Sequence, residues 1–124
     1  YYCSARRTVN KGFLLVESGV ETQNIEPAKK EILAQLEEVQ SGRFTEEELA
    51  AAKLSLCNNY RTIKDYLGGL ESFYLSQIFN ETVQTPEEAA QEISRVTAEQ
   101  VTEAAKRVRL DTEYRLVGGE EEHA

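Results

Sequence analysis

The chain has 124 residues, 40% hydrophobic and 29% charged, with 14 basic and 22 acidic side chains and a net charge of −8. That length holds one domain with a modest core, and the apolar share is that of a folding chain rather than a disordered one. The negative balance repels phosphate backbones and anionic lipid, which removes nucleic acid and membrane surfaces from the expected partners.

The longest apolar runs, such as FLLV, fall far below the roughly 20 residues that span a bilayer. No charged start followed by an apolar stretch marks a secretion signal. Two cysteines, Cys3 and Cys57, read as free, packed thiols in a reducing, cytoplasmic setting.

Residues 1–7 and 12–19 are aromatic, β-branched or aliphatic, and TVNK between them supplies a turn in which Asn10 can take a positive φ. A hairpin is expected, with Tyr1, Cys3 and Ala5 on one face and Tyr2, Ser4 and Arg6 on the other. Because a lone hairpin is marginal in water, further strands or a helical layer are expected beside it. A first residue already inside a strand, with no initiator Met, is read as the rear part of a larger domain.

The spacing then predicts a helix from about Ile25 to Ser41. Asn24 is placed to cap it, Pro27 sits in its first turn and Gly42 lies just past its end. Ala28, Ile32, Leu36 and Val39 form its apolar stripe, expected to lie on a sheet. Thr45 and Glu48 make a T-x-x-E capping box, with Phe44 and Leu49 as a hydrophobic staple. The stripe from that start is Leu49, Lys53, Leu56, Tyr60, Ile63 and Leu67, and Gly68 and Gly69 are read as a break or bend before helical spacing resumes. Thr85 with Glu88, and Thr97 with Gln100, repeat the cap signature, the last helix running from about Ala98 to Val108. TEYRLVG returns to strand character, and residues 120–124 form an acidic tail. This order predicts an α+β domain over residues 1–119, an antiparallel sheet covered on one face by helices.

Chemistry-bearing clusters are few. His123, the single histidine, sits among tail glutamates, short of the several converging ligands a metal needs. Cys57 has no internal histidine to act as its base, so a packed thiol is expected rather than a nucleophile. The acidic clusters lack calcium-loop spacing and fall mostly in or beside helix first turns, where the dipole favours carboxylates. YLGGLES has neither the strand nor the lysine of a phosphate loop. Tyr1, Tyr2, Arg6 and Arg7 remain as an aromatic and cationic group on the first strand, which composition alone reads as ordinary sheet surface.

The ordered set YYCSARRTVNKGFLLVESGVE, SGRFTEEELAAAKLSL, TPEEAAQEISRVTAEQV and YRLVGG resembles the rear part of a domain of the pitrilysin/insulinase family of metallopeptidases. That group includes mitochondrial processing peptidase, and the resemblance, closest to bacterial, cytoplasmic peptidase-like members, runs from Tyr1 to Gly119. It implies a truncated, processing-peptidase-like domain of the non-zinc kind, inert alone, walling a chamber that closes on extended peptide. Zinc and the general base would belong to a front domain carrying H-x-x-E-H, making the whole protein a zinc metalloendopeptidase; this chain has no such motif and would bind no cofactor itself.

Active members place an Arg and then a Tyr at a strand start facing substrate. Tyr1 matches that Tyr, with Tyr2 the alternative one register away; the Arg would lie before residue 1. Either hydroxyl would donate to a developing oxyanion or to substrate backbone. The implied partners are the rest of the parent chain or a homologous subunit, peptide substrate, and a second copy through an exposed sheet edge. The competing reading is a non-catalytic scaffold subunit of the same family, and a third is an unrelated acidic helical adaptor without a sheet.

Overall fold

A computed structural model describes residues 2–8 and 11–118. Two strands, β1 (Tyr2–Thr8) and β2 (Phe13–Gly19), precede five helices: α1 (Ile25–Gln40), α2 (Glu46–Thr62), α3 (Leu67–Asn80), α4 (Pro86–Arg95) and α5 (Ala98–Ala105). The fold is α+β, as expected, with an antiparallel sheet of two strands among the described residues.

The hairpin pairs Tyr2 with Gly19 and Thr8 with Phe13. Gly12 turns it with φ +64°, a conformation glycine adopts without steric cost, and its N–H donates to the Thr8 carbonyl at 3.0 Å. Asn10, expected to take the positive φ, lies outside the described residues, as does Tyr1. The expected helical cover over one sheet face is not seen: Tyr2 to Arg7 are all exposed, and Phe13, Leu14 and Val16 are each more than a third exposed. Cys3 is correspondingly an exposed thiol rather than a packed one, whereas Cys57 is buried; both are free.

The stripe of α1 packs on α5 instead of a sheet. The geometry follows from how each end is closed. Past Gln40 the chain turns through Gly42 at φ +70°, with Arg43 N–H donating to Glu38 O at 2.8 Å and Gly42 N–H to Val39 O at 3.1 Å. This is the double closure that a left-handed residue after a helix permits. Arg43 also clamps the Glu38 carboxylate through two guanidinium nitrogens, at 2.9 and 3.0 Å, and those hydrogen bonds hold the carboxyl below its ordinary range. The Gln40 amide then donates to the carbonyls of Ala105 and Val108 at 3.1 and 2.9 Å, satisfying acceptors that a helix end leaves free. At the other end Asn24 does not cap with its side chain. It is the last residue of a 3₁₀ turn, Thr22–Asn24, at φ −100°, ψ 4°, away from the extended conformation that aims a capping side chain at the first turn.

All three threonine capping boxes form reciprocally. Thr45 Oγ1 accepts from Glu48 N–H at 3.1 Å while Thr45 N–H donates to Glu48 Oε2 at 2.7 Å. Phe44 and Leu49 beside it are both half-buried, as a staple requires.

The buried face of α2 is not the one its large residues suggest. Leu56 is 47% exposed and Leu67 85%, whereas Cys57 is 5% exposed; the inward line is Leu49, Lys53, Cys57, Tyr60 and Ile63. Small residues win because α4 lies close: Ala90 is fully buried, Ala89 nearly so, and the Cys57 thiol donates to the Ala90 carbonyl at 3.2 Å. Lys53 Nζ donates to Val96 O at 2.8 Å, and Arg61 pairs with Glu87 at 3.5 Å. Contact positions fall along α4 as they rise along α2, so the two helices run antiparallel.

The break after α2 lies before the glycine pair, not at it. Ile63–Asp65 tightens into a 3₁₀ turn and Tyr66 is extended, at φ −145°, ψ 137°; Gly68 and Gly69 already belong to α3. Gly69 is required by contact: a Cβ there would stand 2.3 to 2.8 Å from the Tyr66 ring. Farther along, the buried Gln77 amide donates to the Gln84 carbonyl at 2.7 Å and accepts from its N–H, closing the loop into α4. The outer face of α3 is apolar and exposed, with Leu67, Tyr74, Leu75 and Ile78 between 45% and 85% accessible.

α5 stops at Ala105, three residues before the expected end. Residues 109–118 have no regular secondary structure. The expected final strand is absent here because no neighbour offers it a ladder; the described sheet ends with β1 and β2. The segment is tied to α1 by ion pairs instead, Lys29 with Glu113 at 2.5 Å and Arg115 with Glu26 at 2.7 Å. Residues 119–124, including His123, lie outside the described set.

Candidate substrate-facing hairpin

The first strand positions Tyr2, Ser4 and Arg6 on one face because strand side chains alternate. Across from them on β2 stand Gly19, Glu17 and Leu15. Tyr2 is 64% exposed, and its ring lies over Gly19, where a Cβ would meet it at 2.6 Å. A glycine in a strand leaves a gap on the sheet surface, and the aromatic ring covers it. The Ser18 hydroxyl donates to the Tyr2 carbonyl at 2.9 Å, fixing the strand end.

With the ring held on the sheet, the Tyr2 hydroxyl makes no hydrogen bond among the described residues. It is a free donor on an open surface. Arg6 is paired diagonally with Glu17 at 3.3 Å, a partner the sequence reading missed; the hairpin register would have found it, since Glu17 stands opposite Ser4, one step along the same face. Arg7 points to the other face, opposite Leu14. Of the group Tyr1, Tyr2, Arg6 and Arg7, the structure therefore brings Tyr2 and Arg6 to one face and separates Arg7 from them; Tyr1 is outside the described residues. Among the described residues the outer backbone edges of β1 and β2 are unpaired, which is the geometry that accepts an added extended strand.

Elsewhere the described residues are poor in reactive arrangements. No three His, Cys, Asp or Glu side chains converge as a metal site, so they do not fit a zinc ion. A groove of about 580 Å³ runs along α2 beside Ser94 and Ala98 and is lined by Leu49, Lys53, Leu54 and Cys57 among others, but Lys53 and Cys57 are both committed to carbonyls of the helix layer. No described helix is long and apolar enough to cross a membrane.

Residues 1–56 match the family described as "Peptidase M16 inactive domain". Over 120 residues, 97% of its length, the chain is 32% identical to the "Probable inactive metalloprotease YmfF" of Bacillus subtilis (strain 168), and it spans 28% of that protein. No solved structure matches. A hairpin carrying YYCSARR, a helical layer opened by threonine boxes, and likeness over nearly the whole chain to a metalloprotease-type protein agree in supporting a domain of the inactive, non-zinc kind found in the pitrilysin/insulinase-type metallopeptidase family.

Proposed function

We propose that this chain forms part of a chamber wall that holds extended peptide, and that it is catalytically inert by itself. The observation that carries the reading is the exposed hairpin, whose Tyr2 hydroxyl is unbonded while its ring is fixed over Gly19. A donor on a rigid aromatic arm costs little ordering on binding, and open strand edges offer the backbone ladder that extended peptides use. Zinc would come from a front domain of the whole protein. Tyr1 or Tyr2 would donate to substrate backbone or to the oxyanion, and the setting would be cytoplasmic. The rest of the parent chain or a homologous subunit would cover the bare sheet and the apolar side of α3.

A scaffold without cleavage activity is the second reading, favoured by the description of the B. subtilis relative as probably inactive. One experiment separates them. The intact protein is assayed with quenched fluorescent peptides, with and without chelator, and binding of the same peptides is measured in parallel. Chelator-sensitive cleavage that falls about 10²-fold or more in kcat in Tyr2→Phe, which keeps the ring on Gly19, marks Tyr2 as the oxyanion donor. Binding without cleavage gives the scaffold. Absence of both binding and cleavage sinks the chamber reading altogether.

A further inference from the structure

Lys53, Cys57 and Arg61 follow one another at every fourth position of α2 and meet α4 in reverse order. Lys53 Nζ donates to the Val96 carbonyl at 2.8 Å, the Cys57 thiol to the Ala90 carbonyl at 3.2 Å, and the Arg61 guanidinium pairs with Glu87 at 3.5 Å. One face of α2 thus holds α4 at its end, its middle and its start, and the same three side chains line the groove along α2. The apolar residues fully enclosed here are small, Cys57, Ala89 and Ala90, so burial contributes little and the polar contacts carry more of the hold. They are not equal. Both sides of the Arg61 pair are about half exposed, which leaves it weak and screened. The approach to α4 is fixed independently, by the buried Gln77 amide bonded to the Gln84 backbone. At the far end the part-buried Lys53 satisfies a carbonyl at the helix terminus, where a cation also meets the negative end of the dipole.

We propose that α4 is a lid over Cys57, hinged at the Gln77–Gln84 clip and latched at its far end by Lys53, which acts as a positioning residue. A helix of 10 residues is too short to persist in water without the face it docks on. Release at Val96 therefore lets the last turns of α4 peel from α2 while the clipped start stays. Ala90, whose carbonyl takes the thiol hydrogen bond, is fully buried and lies in the middle of that span. When it moves, Cys57 opens into the groove it already borders. Beyond Val96 the chain runs into α5, none of whose residues is buried, so α5 adds no buried anchor to the lid. Such an opening is local and needs no unfolding of α2 or α3.

Thiol labelling of the intact protein tests this. Cys57 is alkylated with iodoacetamide, its peptide is followed by mass spectrometry, and the rate is measured from zero urea up to the start of global unfolding. A lid exposes little surface, so its opening depends weakly on urea, whereas exposure by global unfolding follows the full slope of the unfolding transition. The parent is expected to label at a rate nearly flat in low urea. Lys53→Met is expected to raise that rate about tenfold or more, as for loss of a charged hydrogen bond. Lys53→Arg, which keeps a cationic donor within reach of Val96, is expected to label close to the parent, and Arg61→Met to change the rate by a few-fold at most. A parent rate that follows the global slope overturns the lid, and so does a Lys53→Met rate equal to the parent's. Arg61→Met labelling as fast as Lys53→Met overturns the latch. Folding of each variant is checked by circular dichroism; where Lys53→Met does not fold, Lys53→Gln, a shorter donor, takes its place under the same criteria.

Discussion

The α2–α4 pair and the hairpin handle apolar surface in opposite ways. Between α2 and α4 the residues are small, Ala89, Ala90 and Cys57, and they are at most 7% exposed; on the hairpin the residues are large, Tyr2, Phe13 and Leu14, and they are 45% to 64% exposed. Close approach of backbones buries little surface per residue, and it lets a thiol and a lysine reach carbonyls across the interface. Large side chains on an open sheet bury much more once something is laid on them. The contrast separates a part of the chain that completes its own packing from a hairpin that leaves large apolar side chains exposed among the described residues.

The sharpest way to break that comparison is to put the same kind of change on each side. Ala90→Leu forces a much larger side chain into a contact with no free volume, and overpacking of this kind costs about 1–3 kcal/mol. Leu14→Ala removes a side chain already half in solvent, and the change in stability of the chain is expected within about 0.5 kcal/mol, as for surface sites. Urea unfolding followed by circular dichroism measures both. Equal costs would mean that the hairpin is packed as firmly as the helices.

Much of the local chemistry was legible in the sequence and less of the packing. Thr45, Thr85 and Thr97 were each readable as helix starts because a capping box is closed within four residues, and Gly42 because a left-handed turn demands it. Cys57 was read as packed and is buried, but Leu56 was also put on the inward stripe and is 47% exposed, because spacing alone does not tell which edge of the stripe the neighbouring α4 covers. The stripe of α1 was rightly apolar but wrongly paired, since a periodic face does not name its partner. The strand character of residues 112–118 was real as propensity, yet a strand exists only beside another. For the hairpin, Tyr2 was placed on an exposed strand face as read, while the ring's seat on Gly19 needed the register.

A second prediction sharpens the comparison at the joint between α2 and α3, where small size again serves contact. Gly69→Ala would gain helix propensity of about 1 kcal/mol, but its Cβ collides with the Tyr66 ring, which must swing into solvent. Tyr66 is 60% exposed, so it can move, at the expense of its contact with the helix start. The substitution is expected to be destabilising in the parent and stabilising, by most of that propensity gain, in a Tyr66→Ala background. A thermal-melt cycle of the four proteins reads the change of sign; no change of sign would mean that the glycine serves backbone conformation and not the ring.

The smallest effect compares two starts of the same design. α4 opens with Thr85 and Glu88, α5 with Thr97 and Gln100, and both boxes make the same pair of bonds. Only one of them carries charge. Hydrogen bonds from the Thr85 backbone and hydroxyl hold the Glu88 carboxyl below its ordinary range, so the carboxylate is favoured in the folded state. A carboxyl whose pKa is lowered by folding contributes stability above the unfolded value, and that contribution is lost as pH falls through the folded one. Glu88→Gln keeps the box, as Gln100 shows, and removes the charge. The variant is therefore expected to be slightly less stable than the parent at neutral pH, with the gap shrinking on acidification through the carboxylate range. Gln100→Glu is expected to do the reverse at α5, adding stability at neutral pH that acid removes. Urea midpoints for the three proteins along a pH series decide it: a gap that stays constant with pH would show that the Glu88 carboxylate serves α4 only as a hydrogen-bond acceptor, equivalent to the amide of α5.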